Sequence, residues 1–326
     1  MPSREALRLL DEHWRTQARM GAGVAARSLR EWASVSPVSL VTSGRAWLTL
    51  VASLVRQERA RSRAAAVSFY RLYRTLETGA TVPPFAGSVP DEAVTLGALR
   101  DEWAQHAGTP RTPQADDAEP VQVDDFDWPE VDDAAQDAAA RTALAVTGPA
   151  RVGEAIDLAS SSDDGRGRLD SADFLNELDT VMRDAGASAA SAADREALRG
   201  GRELIAQASR EDRRVIGWAR VTDGNPCAFC AMLASRGSTY RSEASAFFAG
   251  MRGATEVPRD PDALAELNQY HNGCHCQAVP IYTRADFLTP EARRYAREWQ
   301  EVTRGLAGAE ARRAWRRHID AQRRSR

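Results

Sequence analysis

The sequence predicts a mainly α-helical protein that ends in a small α+β module. Three observations carry this reading. Apolar residues recur at helical spacing through the first eighty residues and again from 141 to 219. An acidic, proline-containing stretch separates the two helical blocks, and all four cysteines of the 326-residue chain fall within 221–282. The organisation that follows is an N-terminal helical domain (1–111), an acidic linker (112–140), a second helical domain (141–220), a Cys/His module (221–288) and a basic C-terminal helix and tail (289–326).

Bulk composition fits such a chain. Its length suits about two domains, and 43% apolar residues suffice for a real core. No run approaches the roughly 18 uninterrupted apolar residues of a membrane span, so no bilayer insertion is expected. A formal charge of −3 predicts no general attraction to nucleic acid. The chain contains no lysine, so all its basic residues other than histidine are arginine, and GC-rich coding explains this better than a demand for guanidinium chemistry.

The first block shows Leu7, Leu10 and Trp14 at helical spacing, then Leu48, Leu50, Val51, Leu54 and Val55, then Phe69, Tyr70, Leu72, Tyr73 and Leu76. Arg56, Arg59, Arg61, Arg63, Arg71 and Arg74 accompany them; their stems are expected to cover the outside of a helical pair rather than bind phosphate. Gly79 ends this block, Pro83, Pro84 and Pro90 block its continuation, and a short helix is expected within 91–106. His13 and His106 have no thiol or second histidine near them in sequence and read as packing or surface residues.

Residues 112–140 carry ten acidic side chains and no basic one, with Val121, Phe126, Trp128 and Val131 as anchors. A solvated hinge is the plainer reading, and an acidic arm reaching a basic surface elsewhere is the functional one. Helix returns from 141, breaks at Gly148-Pro149 and resumes. Asp163, Asp164, Gly165 and Asp170 look at first like a calcium loop, but the regular oxygen spacing ending in a bidentate glutamate is missing. Phe174, Leu175, Leu178, Val181 and Met182 mark an amphipathic helix. Small residues over 185–193 suggest a joint, and a further helix is expected over 194–219, with Ile205, Val215, Ile216 and Trp218 as its apolar contacts.

The cysteines carry the most specific signal. Asn225 suits an N-cap, Pro226 a first helical position and Gly237 a C′ position, which predicts a short helix over 226–236 with Cys227 and Cys230 on its first turn. Residues 277–282 read as extended, so Cys274 and Cys276 point to one side and His275 to the other, with His271 just ahead of the turn at Gly273. CxxC followed by HxxCxC points to tetrahedral zinc, with Cys227 and Cys230 as one pair and two or more of Cys274, Cys276 and His271 completing the site. Disulfides and merely buried thiols are the alternatives; no signal peptide is visible, which disfavours disulfides.

Catalysis at these residues has weaker grounds. Pro226-Cys227 and Cys230 match half of the zinc deaminase signature, but neither His13 nor His106 opens the required H-x-E. Cys227 or Cys230 with His271 could form a nucleophilic pair, yet four thiols around one histidine favour a metal.

WARVTDGNPCAFCAMLASRGSTY over 218–240, followed after an insert by HNGCHCQAVPIY over 271–282, resembles the Mu F-like minor head proteins of tailed bacteriophages. The likeness covers roughly 210–285, and the insert 241–270 has no match. The resemblance implies a minor capsid protein of head morphogenesis that binds portal or inner capsid, with Cys227, Cys230, His271, Cys274 and Cys276 as the positions carried over. It places the protein inside the virion, and in host cytoplasm during assembly. Some such proteins are named capsid maturation proteases; Ser235, Ser242 and Ser245 lie within the module, where His271 could approach one of them, but no local signature singles one out.

Beyond the module, Thr289-Pro290-Glu291 opens a helix. Eleven arginines against five acidic residues over 291–326 suit phosphate backbone, so packaged DNA is a further candidate partner, with a solvated helix end as the alternative. His318 has no thiol near it and receives no role.

Overall fold

The computed structural model describes residues 3–85, 93–108, 110–161, 171–222, 224–237, 275–284 and 289–325. Among these residues helices dominate, as the sequence predicts, with strands confined to two two-stranded sheets. Helix α1 (Arg4–Trp32) starts at Ser3, whose hydroxyl accepts the Ala6 N–H at 3.0 Å. After a single 3-10 turn, α2 (Leu40–Thr78) runs until Gly79, whose left-handed φ of 75° ends it. Strand β1 (Ala80–Thr81) follows, then α3 (Leu96–Ala107), capped by Thr95. Strand β2 (Gln122–Val123) pairs with β1 in parallel. Helices α4 (Asp133–Thr147) and α5 (Pro149–Ser160) meet at the expected Gly148-Pro149 break.

The longest helix is α6 (Ala172–Glu211), and it packs along both α1 and α2. It overturns two expectations. The small residues over 185–193 are not a joint; they lie inside an unbroken helix, because alanine is the best helix former and small side chains let helices approach closely. At Gly186 a Cβ would stand 2.4 Å from Trp32 Cδ1, and at Gly200 it would stand 2.6 Å from the backbone oxygen of Arg59. The helix also stops at Glu211, so Trp218 belongs to a strand instead. Asp212 ends α6 in extended conformation and hands its carboxylate to partners from other elements.

Two apolar clusters hold the bundle. One gathers Leu10, Phe69, Tyr73, Leu99, Trp103, Leu204 and Ile205 from α1, α2, α3 and the end of α6. The other gathers Val24, Trp32, Trp47, Leu144, Val152 and the α6 alanines, with Trp32 and Trp47 edge to face at 5.0 Å. Each fully buried large apolar side chain contributes about 1.5–3 kcal/mol against exposure.

Of the α2 arginines, Arg56 and Arg61 keep the expected outside position and three others depart from it. Arg59, Arg71 and Arg74 are buried, and each meets a carboxylate: Asp137, Glu102 and Asp212 respectively. The acidic stretch explains part of this. Asp124 receives Arg74 at 2.6 Å and Arg214 at 2.6 Å, Asp133 receives Arg63 at 2.6 Å, and Asp116 and Asp117 receive Arg100 at 2.7 and 2.9 Å. Val121, Phe126 and Trp128 pack on the first cluster, and the Trp128 indole N–H donates to the Pro83 carbonyl at 2.9 Å. The stretch is thus strapped across its own helices, where its charge neutralises buried guanidinium groups.

By length and composition the segment Pro37–Thr78 contains an 18-residue window apolar enough to cross a membrane. Core helices pass the same test, and α2 packs against α1, α3 and α6.

Candidate functional site

Strand β3 (Gly217–Val221) and strand β4 (Gln277–Ile281) pair antiparallel, with Trp218 opposite Pro280 and Arg220 opposite Ala278. Every residue of both is buried. Ala219, Val221, Val279 and Ile281 belong to the bundle's first cluster. Alternation then sends Trp218 and Arg220 to the opposite face. There Arg220 Nη2 lies 3.4 Å from Cys230 Sγ.

Cys230 sits on α7 (Ala228–Ala234), a helix two residues shorter at its start than expected. The cap is Cys227 itself rather than Asn225: its sulfur accepts the Cys230 N–H at 3.4 Å. A CxxC turn can use its first thiol this way because the sulfur reaches the same orphan N–H that a serine cap would satisfy. Gly237 has the left-handed φ of 65° expected beyond the helix end. Cys276 comes from the residue before β4 and joins Cys227 and Cys230 in one contact cluster, Cys230 and Cys276 being 1% exposed.

Of the five sequence-predicted ligands, the structure brings together Cys227, Cys230 and Cys276; His271 and Cys274 lie outside the described residues. Among the described residues, no group of three His, Cys, Asp or Glu side chains forms a metal-binding set. The donors are soft sulfurs, with the Arg220 guanidinium beside one of them, and soft sulfur donors are chemically compatible with zinc.

His275 Nε2 lies 3.2 Å from Asp194 Oδ2 on α6. Asp194 is 3% exposed and stands against α1, where a Cβ on Gly21 would come within 1.8 Å of its Oδ1. Sequence reasoning missed Asp194 and Arg220. The one usable signal was an arginine alternating with Trp218 in an otherwise apolar strand.

The other titratable candidates are accounted for by packing. His13 is buried, stacked on Phe69 at 4.0 Å, and burial lowers its pKa to about 3 against the opposing hydrogen bond with Gln277. His318 Nε2 meets Glu298 Oε2 at 3.1 Å. The Ser235 hydroxyl donates to the Met232 carbonyl at 2.7 Å, while Ser242, Ser245 and the calcium-like turn at 163–170 lie outside the described residues.

The module is fixed to the bundle by a buried polar network. Arg74 Nε donates to Asp212 Oδ2 at 2.8 Å, Tyr70 donates to the same oxygen at 2.9 Å, and Tyr282, just after β4, does so at 3.4 Å. Burial pushes the Asp212 carboxyl up, but Arg74 and the Arg214 N–H outweigh it and hold the carboxyl below its usual range. The phenols of Tyr70 and Tyr282 are pushed up, first by burial and then by neighbouring charge, so they act as donors.

The family described as VG15 protein matches residues 130–302, a span that runs from the acidic strap through the cysteine cluster to the helix after β4. The chain belongs to the VG15 protein family. It is also similar to the Gene 15 protein of Mycobacterium phage D29, at 35% identity over an alignment 105 residues long that covers 27% of this chain. That alignment spans 37% of the phage protein's own length, well under two thirds. No solved structure matches the chain. The kinship of this VG15 family member is therefore with a bacteriophage gene product, and the family span includes Cys227, Cys230 and Cys276.

Proposed function

We propose that the protein is a phage minor capsid protein of head morphogenesis, of the Mu F-like kind, which binds portal or the inner capsid face by stoichiometric contact. The observation that carries the reading is kinship with a phage gene product through a family span that contains the cysteine cluster. The build of the cluster region is in keeping with a contact role. Arg220 on β3 and Cys230 beside it are almost wholly buried, and a network of ion pairs and tyrosines fixes the strand pair to a long-helix bundle. Cys227, Cys230 and Cys276, completed by His271 and Cys274, would hold one structural zinc within a module over 221–288. Its binding free energy would serve as folding free energy.

The testing experiment is co-expression with the portal and major capsid proteins of the same phage. The expected result is a complex of fixed stoichiometry with portal and incorporation into heads. Heads that assemble normally without the protein, or processed capsid protein that depends on it, would replace this reading, the second outcome in favour of a maturation protease.

A further inference from the structure

Helix α8 (Pro290–Val302) and helix α9 (Gly308–Arg324) turn back on each other through Gly305, whose φ is 76°, and pack on α7. Ala311, Trp315 and Ile319 form the buried face of α9, and the Trp315 indole N–H donates to the Ala228 carbonyl at 2.8 Å. At 3.6 residues per turn, Arg312, Arg316 and Arg323 fall within about 40° of one another, and Arg313, Arg317 and Arg324 fall within a second arc of about 40° beside them. All six are exposed. The two rows run about 18 Å along the helix. Asp320 is the one carboxylate between them.

These arginines differ from those of the bundle. Arg63, Arg74, Arg100, Arg111 and Arg214 each meet a carboxylate within 3 Å. Among the described residues, none of the six on α9 forms an ion pair. A natural internal counter-charge would be the acidic strap, from this chain or a second copy. Its Asp116, Asp117, Asp124, Asp133 and Asp137 are held by the bundle's own arginines, whereas its exposed Glu119, Asp125, Asp127 and Glu130 form no ion pair among the described residues, so an acidic polypeptide is the competing occupant that the test has to separate.

We propose that α9 is a binding surface for the phosphate backbone of double-stranded DNA, indifferent to base sequence. A duplex strand presents one phosphate per about 3.4 Å, so an 18 Å double row can meet several phosphates at once. The face carries guanidinium groups without aromatic or amide side chains between them, which suits backbone contact rather than base reading. This inference rests on the helix and is independent of the head-assembly reading.

The test is fluorescence anisotropy of the full chain with a duplex of about 20 base pairs and arbitrary sequence, between about 50 and 200 mM salt. Affinity should fall about a hundredfold across that range, as expected for about four phosphate contacts. Combined Arg312→Glu, Arg316→Glu and Arg323→Glu should weaken binding at least tenfold and flatten the salt slope by about 3. Arg313→Gln, Arg317→Gln and Arg324→Gln serve as a second, milder set, with helical content checked by circular dichroism. Three results would overturn the proposal: no binding at the lowest salt, a salt slope unchanged in both folded variant sets, or equal binding of polyglutamate, which would assign the rows to an acidic polypeptide.

Discussion

The side chains of Arg74 and Asp212 meet at 2.8 Å with 3% and 2% of their surfaces exposed, and they join the C-terminal end of α2 to the end of α6. Removing one member leaves the other charged and desolvated. Asp212→Ala should cost about 3 kcal/mol, since it also deprives Tyr70 of its acceptor. The carboxyl is held below its usual range, so its stabilisation is fully present above the unfolded value of about 3.9 and is lost as pH falls through the folded one. Urea denaturation of the variant checks this; a cost below about 1 kcal/mol would show that Asp124 alone satisfies Arg74.

A second pH effect has a different window. Burial depresses His13 to about 3, so at pH between 3 and the unfolded value near 6.5 the unfolded chain binds a proton that the folded chain refuses. Stability should therefore fall by roughly 1.4 kcal/mol per pH unit below 6.5 from this group. His13→Phe keeps a ring on Phe69 and removes the titration. Denaturation midpoints at pH 7, 6 and 5 should separate the two proteins progressively, and parallel curves would refute the assignment.

Glycine substitutions should split by position. At Gly200 an added Cβ meets the Arg59 backbone at 2.6 Å, so Gly200→Ala should destabilise by about 1–3 kcal/mol despite alanine's helix propensity. At Gly23, in α1, a Cβ meets nothing within 4 Å, and Gly23→Ala should stabilise by up to about 1 kcal/mol. Thermal melts of the two variants with the same sign of shift would contradict the close approach of α2 and α6.

Protein purified under reducing conditions without chelator should carry about one zinc per chain. Cys227→Ser and Cys276→Ser should each lose the metal and lower the melting temperature. Elemental analysis showing no metal in the wild type, with freely reactive thiols, would remove the zinc and return attention to disulfide or nucleophile chemistry.

Much of the fold was legible because it follows from local rules. Helical periodicity, the cap at Thr289, the stop at Gly79 and the break at Gly148-Pro149 act over one or two turns and are written in neighbouring residues. The extended segment before Tyr282 was legible for the same reason, whereas the meeting of Cys276 with the CxxC pair joins segments far apart in the chain and was suggested by residue type alone. The continuity of α6 through its alanines was misread because low complexity looks like a joint until a partner helix supplies Trp32 and Arg59 to pack on. The burial of Arg59, Arg71 and Arg74 could not be read locally either, since their counter-ions lie 31 to 138 residues away.

The sequence by itself determined much of where helices start and stop and where positive charge accumulates, since each depends on residue type and short spacing. Only the tertiary structure decided which charges are consumed inside the molecule and which face outward. That partition separates Asp116, Asp117, Asp124, Asp133 and Asp137 of the strap, paired with arginines of the bundle, from the arginine rows of α9. It depends on desolvation and on partners brought together from distant parts of the chain, quantities that exist only once the chain has folded.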